Sequence, residues 1–111
     1  MSKVFLIKDN KIGEGELGEM VMGGFLHTVS LQEALPKTIM LLNKGVLLAD
    51  QTRGNKMAFD ALKKMQECGV EIVLCQTCVE YFELQQQNLV GRIDDAVYIT
   101  QTILNNEVVS L

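Results

Sequence analysis

The chain has no tryptophan, one histidine, three cysteines and a single proline, Pro36. Without a Pro-, Gly- or Ser-rich stretch it has no linker to separate two folding units, and 111 residues is the usual size of one. A single domain over 1–111 is therefore expected. Basic clusters are missing too. Ten Lys+Arg stand against fourteen Asp+Glu, a net charge of −4, and no basic run is interleaved with aromatics. Phosphate backbones are held by facing cations, so nucleic acid is excluded as a partner. No apolar run approaches the roughly 20 residues of a membrane span, so no membrane association is expected. The opening residues, MSKVFLIKDN, hold apolar character only from Val4 to Ile7 before charge returns, too little for the core of a secretory signal. A cytoplasmic location follows as an expectation, and with it reduced thiols rather than disulfides.

What the chain does have is apolar residues: 48% of the total, with mean hydropathy +0.16, enough for a well-filled core. Their spacing alternates between two kinds. KVFLI at 3–7 and TIMLL at 38–42 read as strands buried on both faces. VEIVL at 70–74 reads the same way, LVGRI at 89–93 is weaker because Gly91 interrupts it, and EVVS at 107–110 closes the chain. Between them lie helical patterns. Leu17, Met20, Val21, Gly24 and Thr28 make the inward stripe of the first, which begins near Glu16. Ala58, Ala61, Leu62, Met65 and Cys68 line the second, with Gly69 at a left-handed C-terminal cap. Asp94 or Asp95 caps the last, whose stripe is Ala96, Val97, Thr100, Ile103 and Leu104. Such alternation predicts an α/β fold, three-layer α/β/α, on a mostly parallel sheet of about five strands. Functional loops of that architecture gather beyond the carboxyl ends of the strands. The loop after Ile7, the turn Asn43-Lys44-Gly45 and the segment at Cys75 then share one edge.

GEGELG at 13–18 matches the dinucleotide fingerprint G-x-G-x-x-G literally. Five residues separate it from the preceding strand, and Glu14, Glu16 and Glu19 would repel a phosphate there. It reads as a glycine loop whose acidic residues complement a helix N-terminus. Gly23-Gly24 inside the same helix needs a reason, since each glycine costs about 1 kcal/mol relative to alanine; close packing supplies one.

Chemistry concentrates in VEIVLCQTCVEYF, where a buried strand ends in Cys75 and Cys78 follows three residues on. Thr77 and Glu80 form the Thr-x-x-Glu capping pattern, making Thr77 the predicted N-cap and Cys78 the first helical residue. Both sulfurs then lie near a positive helix end, which lowers a thiol's pKa, and Lys44 on the adjacent loop reinforces the effect. Four readings fit the pair. Zinc needs four ligands, and the only further soft donors, Cys68 and His27, fall on other helices, so neither metal nor cofactor is expected. A thioredoxin-type redox pair has this spacing, but Pro36 precedes the motif instead of following it. The cysteines are otherwise inert structural thiols in a non-catalytic oligomeric module, or a nucleophile that carries sulfur as a persulfide and is resolved by its partner. Cys68 continues a buried stripe and is expected in the core.

The stretches KVFLIKDNKIGEGELGEMVMGGFLHTV, TIMLLNKGVLLA and GVEIVLCQTCVEYFEL resemble the DsrE-like domain of the YedF group, described as sulfurtransferase-like selenium metabolism proteins, in the DsrE/DsrF-like superfamily. The most specific elements are the glycine loop at 13–18, Asn-x-Gly-Val at 43–46 and Cys-x-Thr-Cys at 75–78. The resemblance implies a three-layer α/β/α fold and homo-oligomers, trimers or hexamers. It implies a role in sulfur, or selenium, relay, with Cys75 accepting the sulfur and Cys78 as partner thiol. Asn43, Lys44, Gly45 and Thr77 are the supporting positions. A sulfur-donor or TusA-like protein is the expected partner. The group favours glycine where this chain has Gln76 and Glu83.

Overall fold

The computed structural model describes residues 3–111. Its core is a five-stranded, all-parallel sheet built from β1 (Lys3–Ile7), β2 (Thr38–Leu41), β3 (Glu71–Cys75), β4 (Arg92–Asp94) and β5 (Glu107–Ser110), in the order β4-β3-β2-β1-β5. The helices are α1 (Gly15–Ser30), α2 (Lys56–Glu67), α3 (Gln76–Tyr81) and α4 (Ala96–Leu104). From β1 to β4 the chain steps one way across the sheet; from β4 to β5 it returns over the whole width. Right-handed crossovers place helices on opposite faces when the direction of travel reverses. The two packed layers agree with this. Ile7, Ile39, Leu41, Ile72 and Leu74 meet Met22 and Leu26 of α1, Ala58, Leu62 and Met65 of α2, and Val79 of α3. Val4, Met40 and Val73 point the other way, onto Ile99 of α4. The three-layer α/β/α architecture expected from the alternating pattern is present. No helix among the described residues is long and apolar enough to cross a membrane.

Local chemistry explains most element ends. Gly69, at φ 99°, follows α2, its N–H donating to the Gln66 carbonyl and that of Val70 to the Met65 carbonyl. These are the paired bonds of a Schellman end. Asp95 caps α4, accepting the Tyr98 N–H at 3.0 Å. Asn55 caps α2 by accepting from the Ala58 N–H, and donates its amide to the Glu19 carbonyl of α1. That cross-link accounts for half of the Gly-Gly pair: a Cβ on Gly23 would lie 2.9 Å from Asn55 Oδ1, whereas one on Gly24 would meet nothing within 4 Å.

Four expectations are corrected. The stripe Ala96, Val97, Thr100, Ile103, Leu104 of α4 is largely exposed, and the residues this helix buries are Ile99 and Thr102. The stripe Leu17, Met20, Val21, Gly24, Thr28 faces outward: Leu17 and Met20 are 68% and 65% exposed, and the buried positions are Gly18, Met22, Gly23, Leu26 and Ser30. The buried row lies about two residues away, roughly 200° around the helix. Both rows are apolar or small, so periodicity alone does not choose between them. Contact does. A Cβ on Gly18 would stand 2.6 Å from the Gly13 carbonyl oxygen, so this face is pinned against the glycine loop. Cys68 is exposed instead of core, because it terminates α2 where the chain leaves the helical path. The strand expected at 89–93 is only Arg92–Asp94, since Gly91 at φ 89° bends the chain against the Ile72 carbonyl.

A polar cluster sits on the α4 side. Glu71 accepts from Thr38 Oγ1 at 2.9 Å, from Tyr98 Oη at 2.6 Å, and from Arg92, which lies 4.7 Å over the Tyr98 ring. Burial raises the Glu71 pKa, but the hydrogen bonds from Tyr98 and Thr38 and the Arg92 charge outweigh it and hold the carboxyl below its ordinary 4.5. A carboxylate with a lowered folded pKa stabilises above its unfolded pKa, and that contribution is lost as pH falls through the folded value. Glu71→Gln is expected to cost about 1–2 kcal/mol at neutral pH in urea titration. The gap from wild type should close as pH drops below 4.5; a gap independent of pH would show that the charge on Glu71 is irrelevant.

Candidate functional site

β2 leaves the sheet at Leu41, and the chain folds into a 3-10 segment, Asn43–Ala49, directly over the end of β1. The approach is close: a Cβ on Gly45 would lie 2.3 Å from the Ile7 carbonyl oxygen, which already accepts from the Leu42 N–H. The bend leaves Asn43 at φ 50°, in the left-handed region that Asn tolerates better than most residues. Its backbone N–H donates to Sγ of Cys78, in α3, at 3.0 Å.

β3 runs into α3 with no intervening loop. Cys75 is both the last strand residue and the N-cap position of α3, and no side chain caps that helix. Thr77 is therefore not the N-cap, and Cys78 is not the first helical residue; both lie inside the first turn. A capping box needs an extended residue before the helix, and with Cys75 in that position the Thr77-Glu80 pattern is out of phase. Glu80 accepts from the Gln76 amide at 3.3 Å instead.

The two thiols turn towards opposite layers. Cys75 packs with the Val4, Met40, Val73 and Ile99 cluster on the α4 side, opposite Asp94 of β4 in the sheet register. Cys78 packs with the larger cluster on the other side. They remain neighbours, three residues apart around the end of β3, and Cys75 acts on the Cys78 thiol. Burial pushes the Cys78 thiol up from its ordinary value, the neighbouring Cys75 thiol adds to this, and the Asn43 N–H opposes it without prevailing. The lowered pKa expected for Cys78 is thus corrected: α3 is only six residues long, and desolvation outweighs any field at its start.

Cys78 also lines a cavity of 320 Å³ with Asn43, Thr77, Tyr81 and Phe82. Tyr81 and Phe82 meet edge to face, their ring centres 5.1 Å apart. Arg53 donates to the Phe82 carbonyl at 3.0 Å and steadies that wall. Glu83 follows at φ 55°, a left-handed position that glycine adopts more readily than glutamate. Lys44 shares the same edge but is exposed, with no hydrogen bond or ion pair among the described residues. The structure thus brings Cys75, Cys78, Asn43 and Thr77 together and makes Gly45 the pivot of the bend. Reading the residues missed the aromatic wall and Arg53. Tyr81 and Phe82 lie three and four residues beyond Cys78, the spacing that places side chains on one helix face; Arg53 carried no such signal. No group of three or more metal-ligating side chains occurs among the described residues.

A scan against family models matches none, and a search of curated proteins gives no significant match. Solved structures do match. YchN from E. coli superposes with a TM-score of 0.72 at 16% identity, covering 100% of both chains. A protein of unknown function from Methanobacterium thermoautotrophicum superposes at 0.65 and 10% identity, covering 99% of this chain and 98% of its own. The chain shares the fold of these two proteins. At such identities the likeness is one of architecture alone.

Proposed function

We propose that this protein is a cysteine-based carrier of sulfur, or of selenium through the same chemistry, with the cargo held as a persulfide on Cys75 and Cys78 as partner thiol. The observation that carries the reading is the pair itself: two free thiols three residues apart at the carboxyl edge of a parallel sheet. One of them also receives a backbone N–H from a residue in a left-handed conformation. Backbone conformations of that kind persist where surrounding structure holds them, and they gather at functional sites. Thiol–disulfide exchange is the second reading, favoured by the Cys-x-x-Cys spacing of the same pair.

Mass spectrometry of the native protein after exposure to a low-molecular-weight persulfide separates the two. Gain of one sulfur atom, removed by reductant, supports the carrier. Internal disulfide without retained sulfur supports redox exchange. Thiols that alkylate only after unfolding would support structural cysteines.

Assembly into a closed homo-oligomer, a trimer or hexamer, belongs to the same reading, as does a sulfur-donor or TusA-like partner in a reducing, cytoplasmic setting. Leu17, Met20 and Met57 are exposed on neighbouring helices, an apolar surface of the kind that partners cover. Light scattering is expected to report a multiple of the chain mass, and a monomer at micromolar concentration would count against assembly.

A further inference from the structure

The two thiols differ in what they face, and the difference has a direction. Cys75 lies in the α4-side layer and contributes nothing to the cavity beside α3. Cys78 lies in the other layer and lines that cavity together with Asn43, Thr77, Tyr81 and Phe82, none of them charged. Resting on the carrier reading above, we propose that sulfur enters on Cys75, crosses to Cys78, and leaves from Cys78 to a small uncharged thiol seated in this cavity.

Each step balances. In the crossing, Cys78 Sγ attacks the outer sulfur of the Cys75 persulfide anion. The new bond joins Cys78 Sγ to that sulfur, the Cys75 sulfur–sulfur bond breaks, and the Cys78 proton passes to the departing Cys75 sulfur. In the exit, the acceptor thiolate attacks the same outer sulfur, and Cys78 Sγ departs as a thiolate. No oxidant or reductant is consumed. The Asn43 N–H, 3.0 Å from Cys78 Sγ, donates to the atom on which charge develops as the acceptor leaves with the sulfur.

The order follows from the chemistry of the two positions. A thiol held in its protonated form by burial is a slow first nucleophile towards an external donor. It is not slow towards a sulfur carried on Cys75, three residues away, because the reaction is then within one molecule. The acceptor class follows from the lining. At 320 Å³ the cavity is at the small end of ligand sites. Its apolar and aromatic walls hold no charged partner for a carboxylate or ammonium group, whose desolvation would go uncompensated.

The test loads wild type, Cys75→Ser and Cys78→Ser with cysteine persulfide, removes the donor, and chases with benzyl mercaptan or with glutathione, the charged comparison. Sulfur remaining on protein is followed by mass spectrometry, and each rate is divided by that thiol's rate with free persulfide. Wild type should discharge to benzyl mercaptan at least about tenfold faster than to glutathione, the discrimination an apolar pocket supplies. Cys78→Ser should load as wild type does, yet discharge to benzyl mercaptan about tenfold more slowly and show no preference. Cys78→Ala guards against a new hydroxyl contact, and circular dichroism confirms that each variant folds. Discharge from Cys78→Ser at the wild-type rate, or failure of that variant to load, overturns the relay and leaves the carrier standing. Equal rates for the two thiols overturn the acceptor class. A wild type that never loads removes the carrier reading, and the relay with it.

Discussion

Cys75→Ser is expected to abolish persulfide formation, while Cys78→Ser leaves loading intact and removes the internal disulfide. The effect should be all or none, because a serine hydroxyl at neutral pH is not a sulfur nucleophile, whereas a thiol supplies a thiolate fraction. Neither change should unfold the protein. Both cysteines are only half-buried, and the swap of sulfur for oxygen leaves no large cavity. Thermal melts within a few degrees of wild type are the control. Sulfur loading of Cys75→Ser at the wild-type rate would show that the roles are misassigned. Sulfur found only on the exposed Cys68 would dismiss the pair as the site.

Gly45→Ala is expected to be among the most destabilising single substitutions in the chain, at about 3 kcal/mol in urea titration, through overpacking against rigid backbone. The atom in the way is the Ile7 carbonyl oxygen, 2.3 Å from the added Cβ. Flexible side chains yield to such an approach; a carbonyl at the end of a central strand does not. The relief available is for the 3-10 segment to lift off β1, which also withdraws the Asn43 N–H from Cys78 Sγ. Sulfur chemistry and stability should therefore fall together. Gly24→Ala makes the contrast: its Cβ meets nothing within 4 Å, and the helix should gain about 1 kcal/mol. A Gly45→Ala protein as stable as wild type would mean that the bend over β1 is not rigid.

The layering was legible because it rests on a two-sided signal. Strands such as TIML are buried along their whole length, and only a sheet covered on both faces makes that pattern. The convergence of Asn43, Gly45 and Cys75 was legible for a related reason: a parallel sheet brings every carboxyl end to one edge. Rotation of α1 was not, since Leu17, Met20 and Val21 are as apolar as Met22 and Leu26, and the choice depends on Gly18 fitting beneath Gly13. Thr77 misled because its Thr-x-x-Glu pattern is a local rule, and a strand passing straight into a helix overrides it. Desolvation of Cys78 was also hidden, because burial of a thiol in the first turn of α3 is set by neighbours distant in sequence. No pattern within five residues reports it.

The wide return of the chain from β4 to β5 bears on how this protein is made. Lys3 and Glu107, joined by a 2.9 Å ion pair, are 104 positions apart in sequence, whereas β1, β2 and β3 pair with near neighbours in chain order. Closing so long a loop is entropically costly until the intervening sheet exists to receive it. β5 and α4 should accordingly dock late, onto a β1–β3 half that has already condensed. Val108→Ala in β5 is then expected to speed unfolding while leaving the refolding rate almost unchanged.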